Sequence, residues 1–404
     1  MREGWKHKKL GQILDIQNGY AFNSKQFSAN GSMPLIRIRD LKAGNTTETC
    51  YEGEFDEKYI VRAGDLLVGM DGEFACHQWN GPNALLNQRV CRLEKFSSEL
   101  MPRFLYYGIN KYLKEIESLT TYATVKHLSA RQIKAIKFPL PPVSEQKRIV
   151  AILDEAFAGI EKAVANTEKN LANACELFES YINSVFSHHG NKWSEVHLSD
   201  CAISISTGPF GSLLHKSDYV SEGVPLVNPI NIVGSEIVPD ENKLISDKTR
   251  DRLKAYILRE GDIVIARRGE IGRCAVIKEK QSGWVCGTGC FFIRPKPEVN
   301  PHFLARMIRS YEYRTKLEQQ STGTTMKNLS NKVLSDFKIK LPAKHEQESI
   351  VVKLEELSEY CQKFQSIYQQ KLTALAELKQ SLLQKAFSGE LTASTSNKLK
   401  EAAA

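Results

Sequence analysis

Several groups of residues could in principle carry out a reaction or hold a metal. Cys286-Gly-Thr-Gly-Cys290 sets two thiols at a spacing a metal could bridge. His345-Glu346, His188-His189 and Pro239-Asp240-Glu241-Asn242-Lys243 supply other donors and acids. None completes a site. A structural zinc needs four ligands, and no second Cys or His pair accompanies Cys286 and Cys290. Two buried or partly exposed thiols are expected there. His345-Glu346 lacks the second His of a zinc protease, and His188-His189 lies in a linker with no acid partner nearby. The acids in 239–243 are adjacent rather than spread over a strand pair, so a turn is expected. Asn228-Pro229-Ile230-Asn231 starts like the Asn-Pro-Pro-aromatic motif of amino-methyltransferases, but its remaining positions do not fit. The chain has neither a Gly-x-x-x-x-Gly-Lys-Ser/Thr phosphate loop nor a Gly-x-Gly-x-x-Gly dinucleotide turn, and no defensible nucleophile and base. These absences favour a binding protein over an enzyme, with no catalytic residue, metal or cofactor of its own.

The cations are more informative. Arg37 and Arg39 alternate on one face of a predicted strand, Pro34–Arg39. Arg267-Arg268 sit at the end of another predicted strand, beside a Gly turn. Arginine grips phosphate, or the edge of guanine, through two parallel hydrogen bonds. The polar loop 321–328 offers Thr324, Lys327 and Asn328, and the loop 120–127 matches it with Lys126 and His127. Hydroxyls, amides and backbone N–H groups in such loops are phosphate donors.

The 404 residues carry 55 Lys+Arg and 47 Asp+Glu, a formal net charge of +8. Residues 1–144 hold 20 basic and 15 acidic side chains, a net +5, and residues 193–344 hold 23 and 17, a net +6. The remaining parts are net acidic. Two basic modules suggest a polyanion read at two places. A hydrophobic fraction of 42% with 25% charged residues fits a folded chain. No apolar run reaches the ~18–20 residues of a membrane span, and the first residues lack the apolar stretch of a signal peptide. Nine Cys, an odd count, then point to free thiols in a reducing, cytoplasmic setting.

The elements that hold these residues come in two copies. Trp5 and Leu10 recur as Trp193 and Leu198. Arg62-Ala-Gly-Asp65 recurs as Arg259-Glu-Gly-Asp262, and Pro102-Arg-Phe-Leu105 as Pro301-His-Phe-Leu304. Lys126-His-Leu-Ser129 recurs as Lys327-Asn-Leu-Ser330, and Leu140-Pro-Pro-Val-Ser-Glu-Gln146 as Leu341-Pro-Ala-Lys-His-Glu-Gln347. The order is kept and the offset grows by small steps, as loop insertions would cause. Each copy begins with a mixed region of short strands, Gly and Asn turns, and helical stretches at Arg103–Ser118 and Pro301–Gln319. A long heptad-patterned helix follows. The first stripe includes Ile149, Leu153, Ile160 and Leu171. The second includes Ile350, Leu354, Leu357, Leu372 and Leu375. Each has one extra step of four, a stutter, at Thr167 to Leu171 and at Tyr368 to Leu372. Such stripes need partners. Chain connectivity makes an antiparallel pair the expectation, with a pseudo-twofold relation between the copies.

The combination resembles the specificity subunit of type I restriction-modification systems. The marks are Leu140 to Gln146 with Ile149-Val150, Leu341-Pro342 with Glu346-Gln347 and Ile350-Val351, the Gly64-Asp65 and Gly261-Asp262 strand openings, and the helix end Ser381–Leu391. Ala343 replaces the second Pro in the second copy, and Ser187-His188-His189-Gly190 stands where the first copy would carry Ser-Gly-Glu-Leu.

The resemblance implies an α+β protein. Residues 1–144 and 188–344 would be target recognition domains, the second with a short linker. Residues 145–187 and 345–391 would be spacer helices; residues 392–404, polar and small, are expected from their own composition to be a disordered tail. Each domain would read half of a bipartite, asymmetric double-stranded DNA target, and the helices would set the gap. Two methyltransferase subunits would dock on the helices, with restriction and translocation subunits joining later. S-adenosylmethionine, ATP and Mg would bind those partners only. The rival reading is a stand-alone or self-associating DNA-binding or scaffold protein that dimerises through its coiled coil. A self-sufficient methyltransferase would need a donor site, and the sequence offers none.

Overall fold

The computed structural model describes residues 5–119, 126–187, 192–210, 213–321 and 328–393. Two long helices, Val143–Ser187 and Lys344–Ser388, have 45 residues each. The chain divides into two compact units: 1–167 with 370–404, and 168–369. Each unit therefore contains the start of one long helix and the end of the other.

In the first unit, Asp15–Asn18, Val90–Glu94, Leu66–Gly69 and Cys76–Gln78 form an antiparallel sheet in that spatial order. A second sheet joins Phe27–Ser28, Cys50–Tyr51, Met33–Ile36, Ala84–Leu86 and Ile60–Val61, with a parallel pair between Met33–Ile36 and Ala84–Leu86. Lys6–Lys9 pairs with Lys137–Leu140 and ties the start of the unit to the strand that feeds the first long helix. The second unit repeats the plan. Ala202–Thr207, Cys290–Pro295, Ile263–Ala266 and Cys274–Val276 form its antiparallel sheet, and Ser194–His197 pairs with Lys338–Leu341. The sequence repeat is thus a repeat of topology.

The recurring motifs have structural jobs. Gly64 and Gly261 adopt φ of 97° and 83°, a region costly for residues with a Cβ. The Asp that follows each Gly closes the turn. Asp65 accepts from the Arg62 N–H at 2.9 Å and Asp262 from the Arg259 N–H at 2.8 Å. The Gln that ends each Pro-rich motif is a buried clamp. Gln146 accepts from the Met101 N–H and donates to the carbonyls of Glu99 and Pro141. Gln347 does the same with Asn300, Glu298 and Pro342. The Leu-Pro-x-x-x-Glu-Gln signature therefore sets where each long helix leaves its unit.

Within the first unit, Leu375, Leu382, Leu383 and Phe387 pack on the core containing Ile149, Leu153 and Ile160. Phe387 lies 4.9 Å from the Phe104 ring and so close to Gly108 that a Cβ there would meet its ring at 2.3 Å. Within the second unit, Phe186 packs on Phe303 at 5.5 Å, and Val351 and Leu354 share that core with half-buried Ile350. The end of one helix beside the start of the other makes the pairing antiparallel in each unit. Leu171, Leu357 and Leu372 are half-buried. Three further residues at the same heptad spacing, Tyr181 in the first helix and Phe364 and Leu378 in the second, are exposed. Past the stutter the first helix buries Phe186 and half-buries Ile182 instead. Thr167, at the stutter, is buried with its hydroxyl on the Ala163 carbonyl at 2.6 Å.

Three boundaries differ from expectation. The second long helix stops at Ser388, because Gly389 takes φ 83°. Thr392 is not in a loose tail: it is buried and its hydroxyl donates to the Glu145 carboxylate. Residues 394–404 lie outside the described residues. The stretch 301–319 is two helices, Pro301–Arg309 and Tyr311–Gln320, broken at Ser310 by an extended ψ of 151°.

Candidate nucleic-acid interface

Each unit gathers polar loops at one end of its antiparallel sheet. In the second unit, Ile263–Ala266 ends at Arg267, whose N–H donates to the Gly289 carbonyl at 2.9 Å. Gly269 and Gly272, at φ 76° and 83°, turn the chain back. The segment at Asn328 pairs with Arg268, and Leu329 N–H donates to the Arg267 carbonyl at 3.0 Å. The Arg267 side chain donates to Asn328 Oδ1 at 3.1 Å. Its guanidinium lies 5.5 Å from the Phe210 ring centroid and 5.7 Å from that of Phe291. Burial, helped by Arg268, lowers the Arg267 pKa from its usual value. Arg268 is exposed and makes no ion pair among the described residues. The structure thus brings Arg267, Arg268 and Asn328 together. Thr324 and Lys327 lie outside the described residues.

The first unit builds the same corner with different charges. Gly72 N–H donates to the Lys126 carbonyl at 3.3 Å, and Leu128 N–H to the Met70 carbonyl at 2.7 Å. Asp71 lies 2.7 Å from His127 Nδ1 and 3.3 Å from Arg89 Nη1. Lys126 pairs with Glu117 at 3.3 Å. Lys126 and His127 therefore share one loop corner, and both face carboxylates. Exposed Arg89 and Tyr20 join it: Tyr20 pairs with Asn87, and Met70 N–H donates to the Arg89 carbonyl at 3.0 Å.

Arg37 and Arg39 do not alternate on a strand. The strand ends at Ile36, and Ile38–Asp40 is a turn of 3-10 helix. Asp40 Oδ2 accepts from the Arg37 N–H at 2.8 Å and bends the chain. Arg39 then reaches Thr49 Oγ1 at 3.3 Å. The turn still adjoins the loop corner, since Ile38 packs against Gly69 and Lys42 pairs with Glu73 at 2.9 Å. Asn228-Pro229-Ile230-Asn231 is the same device in the second unit, where Asn231 Oδ1 accepts from the Asn228 N–H at 2.8 Å. Its methyltransferase-like letters thus have a structural origin. The Asp240 stretch is a turn, as expected, with Asn242 N–H on Asp240 Oδ1 at 3.0 Å. Cys286 and Cys290 are fully buried in an apolar cluster, and burial raises both thiol pKa values.

Phe210, Tyr20 and Arg89 escaped the sequence reading. Tyr20 and Phe210 had one signal, a Gly before an aromatic, Gly19-Tyr20 and Gly208-Pro-Phe210, in both copies; Arg89 had none.

A family model described as "Type I restriction modification DNA specificity domain" matches residues 2–168 and again 212–374. The chain belongs to this specificity family. The Type I restriction enzyme EcoBI specificity subunit of Escherichia coli is 30% identical over 97% of this chain and 87% of the relative. The MjaVIII specificity subunit of Methanocaldococcus jannaschii is 23% identical over 75% of this chain and 74% of its own length. A chain solved in work on assembly and conformational transition of the type I R-M system superposes with a TM-score of 0.76, at 19% identity, covering 97% of this chain and 99% of that one. The HsdS subunit from Thermoanaerobacter tengcongensis gives 0.59 at 18% identity, covering 97% and 98%. Both structures share the specificity-subunit fold with this chain. Among the described residues, no helix is long and apolar enough to cross a membrane.

Proposed function

We propose that this specificity chain is the DNA-reading subunit of a type I restriction-modification complex and carries no catalysis itself. Each unit reads one half of a bipartite, asymmetric duplex target, and the long helices set the unread gap. The observation that carries this reading is the duplicated loop corner. Two units of one topology each gather Arg, Lys, His or Asn side chains beside an exposed aromatic at one end of a sheet. The proposed contacts are Arg37, Arg39, Lys126, His127, Arg267, Arg268, Thr324, Lys327 and Asn328. Phosphate contacts would fix register and base-edge contacts would specify sequence.

Two methyltransferase subunits dock on the helices, and S-adenosylmethionine, ATP and Mg bind to partners only. On the second long helix, Tyr360, Phe364 and Ile367 fall on one face at i, i+4 and i+7 and are exposed. This unburied apolar row suits a partner helix.

The test is to express the chain with methyltransferase subunits of this class and map methylated bases genome-wide. One asymmetric motif in two parts with a fixed gap is expected. A contiguous motif, or methylation independent of this chain, would overturn the proposal. Measuring the size of the chain alone and with those subunits separates it from a self-associating scaffold.

A further inference from the structure

The second unit contains a cleft of about 490 Å³ beside the helices Pro301–Arg309 and Tyr311–Gln320. A smaller hollow of about 290 Å³ shares Arg306 and Arg309 with it. Four guanidinium groups, of Arg273, Arg306, Arg309 and Arg314, line the cleft. Arg309 donates to the Cys274 carbonyl at 3.1 Å. Glu270 forms loose ion pairs with Arg273 at 3.9 Å and with Arg314 at 3.8 Å. The Arg306 guanidinium makes no hydrogen bond or ion pair among the described residues, although Glu355 stands near it. Burial and the neighbouring Arg309 both lower its pKa, and Glu355 offsets them only in part. Arg273 Nε is buried with no hydrogen-bond partner.

The first unit has a hollow of about 500 Å³ at the same place, but its polar side chains are paired with one another. The repeat puts Tyr107 where Arg306 stands, Asn110 at Arg309 and Asp154 at Glu355. Asn110 accepts from the Cys76 N–H at 2.6 Å and donates to the Cys76 carbonyl at 3.2 Å. Arg103 donates to Asp154 at 3.0 and 2.9 Å, and the Tyr107 hydroxyl also donates to Asp154. One scaffold thus carries a self-satisfied network in one copy and an excess of cation in the other. The four arginines are half-buried and outnumber the two carboxylates of the cleft, Glu179 and Glu270. The buried Arg273 Nε has no partner, which is costly, so the second copy can accept a negative charge from outside.

We propose that this cleft binds a phosphate group between Arg306 and Arg273, with Arg309 and Arg314 as its walls, and that the matching place in the first unit does not. Donors converging from several sides suit a tetrahedral oxyanion better than a planar carboxylate. The group comes either from a free phosphoanion or from a DNA backbone.

The test titrates the full chain with pyrophosphate by calorimetry at constant ionic strength. Arg131→Gln, an exposed arginine in the other unit, is the charge-matched control and should bind as the parent does. Arg306→Gln should weaken binding at least tenfold, and Arg306→Lys less. Should Arg306→Gln unfold, Arg314→Gln provides the same reading. Saturating duplex DNA that competes with pyrophosphate in an Arg306-dependent way assigns the site to backbone phosphate. Additive binding assigns it to a free phosphoanion. Either outcome supports the site. No saturable binding, equal binding by Arg306→Gln and Arg131→Gln, or Arg306-dependent binding of polyglutamate alone would overturn it.

Discussion

Asp262 is 1% exposed and holds the Arg294 guanidinium through contacts of 2.9 and 2.7 Å. Its counterpart in the first unit, Asp65, meets Arg92 at 3.2 Å, with their side chains 29% and 12% exposed. Both Asp residues also cap the turn after a left-handed Gly, so each does two jobs. Burial decides how much each job matters. Removing one partner of a buried pair leaves an uncompensated charge and costs on the order of 3 kcal/mol, whereas a wetter pair costs about 1 kcal/mol. Asp262→Asn should therefore shift the urea midpoint of its unit well below the parent, and Asp65→Asn only slightly. Fluorescence of Trp284 and Trp193 in one unit, and of Trp79 and Trp5 in the other, follows them separately. Equal shifts would show that burial is not the deciding difference.

At the scale of elements, the long helices were legible because their apolar period is local and runs through most of their 45 residues. Even the stutter at Thr167 is present in the sequence, with a buried Thr satisfied by its own helix. The strands were not legible in the same way. Most have two to four residues, and their partners are far along the chain. Val90–Glu94 pairs with Asp15–Asn18, and Met33–Ile36 runs parallel to Ala84–Leu86. Arg37 was misplaced because one side chain, Asp40, decides the turn, and strand propensity cannot register that. Arg89, Tyr20 and Phe210 were missed because only tertiary pairing puts them at the loop corner. The helices support a prediction at this scale. Adding one turn to both would lengthen the spacer by about 5.4 Å, between one and two base pairs at roughly 3.4 Å each. Methylation mapping should then show both half-sequences unchanged and a longer gap. An unchanged gap would sink the spacer role.

For the whole molecule, the question is whether two copies of one unit read independently. They share topology, yet their loop corners differ in charge balance. Asp71 stands between His127 and Arg89 in the first, while Arg268 in the second is exposed and without an ion pair among the described residues. Arg268 therefore offers the cleaner probe. Loss of one phosphate contact should weaken binding of the assembled complex and reduce the slope of log K against log salt by about 0.9. A contact to a base edge would add a second signature, a loss of discrimination of ~1–3 kcal/mol confined to one half of the target. In a binding cycle with Arg268→Ala and scrambled half-sites, scrambling the half read by the second unit should cost the variant less than the parent. Scrambling the other half should cost both the same. If the variant loses sensitivity to both halves equally, the two copies do not read separately, and the duplication must serve assembly rather than recognition.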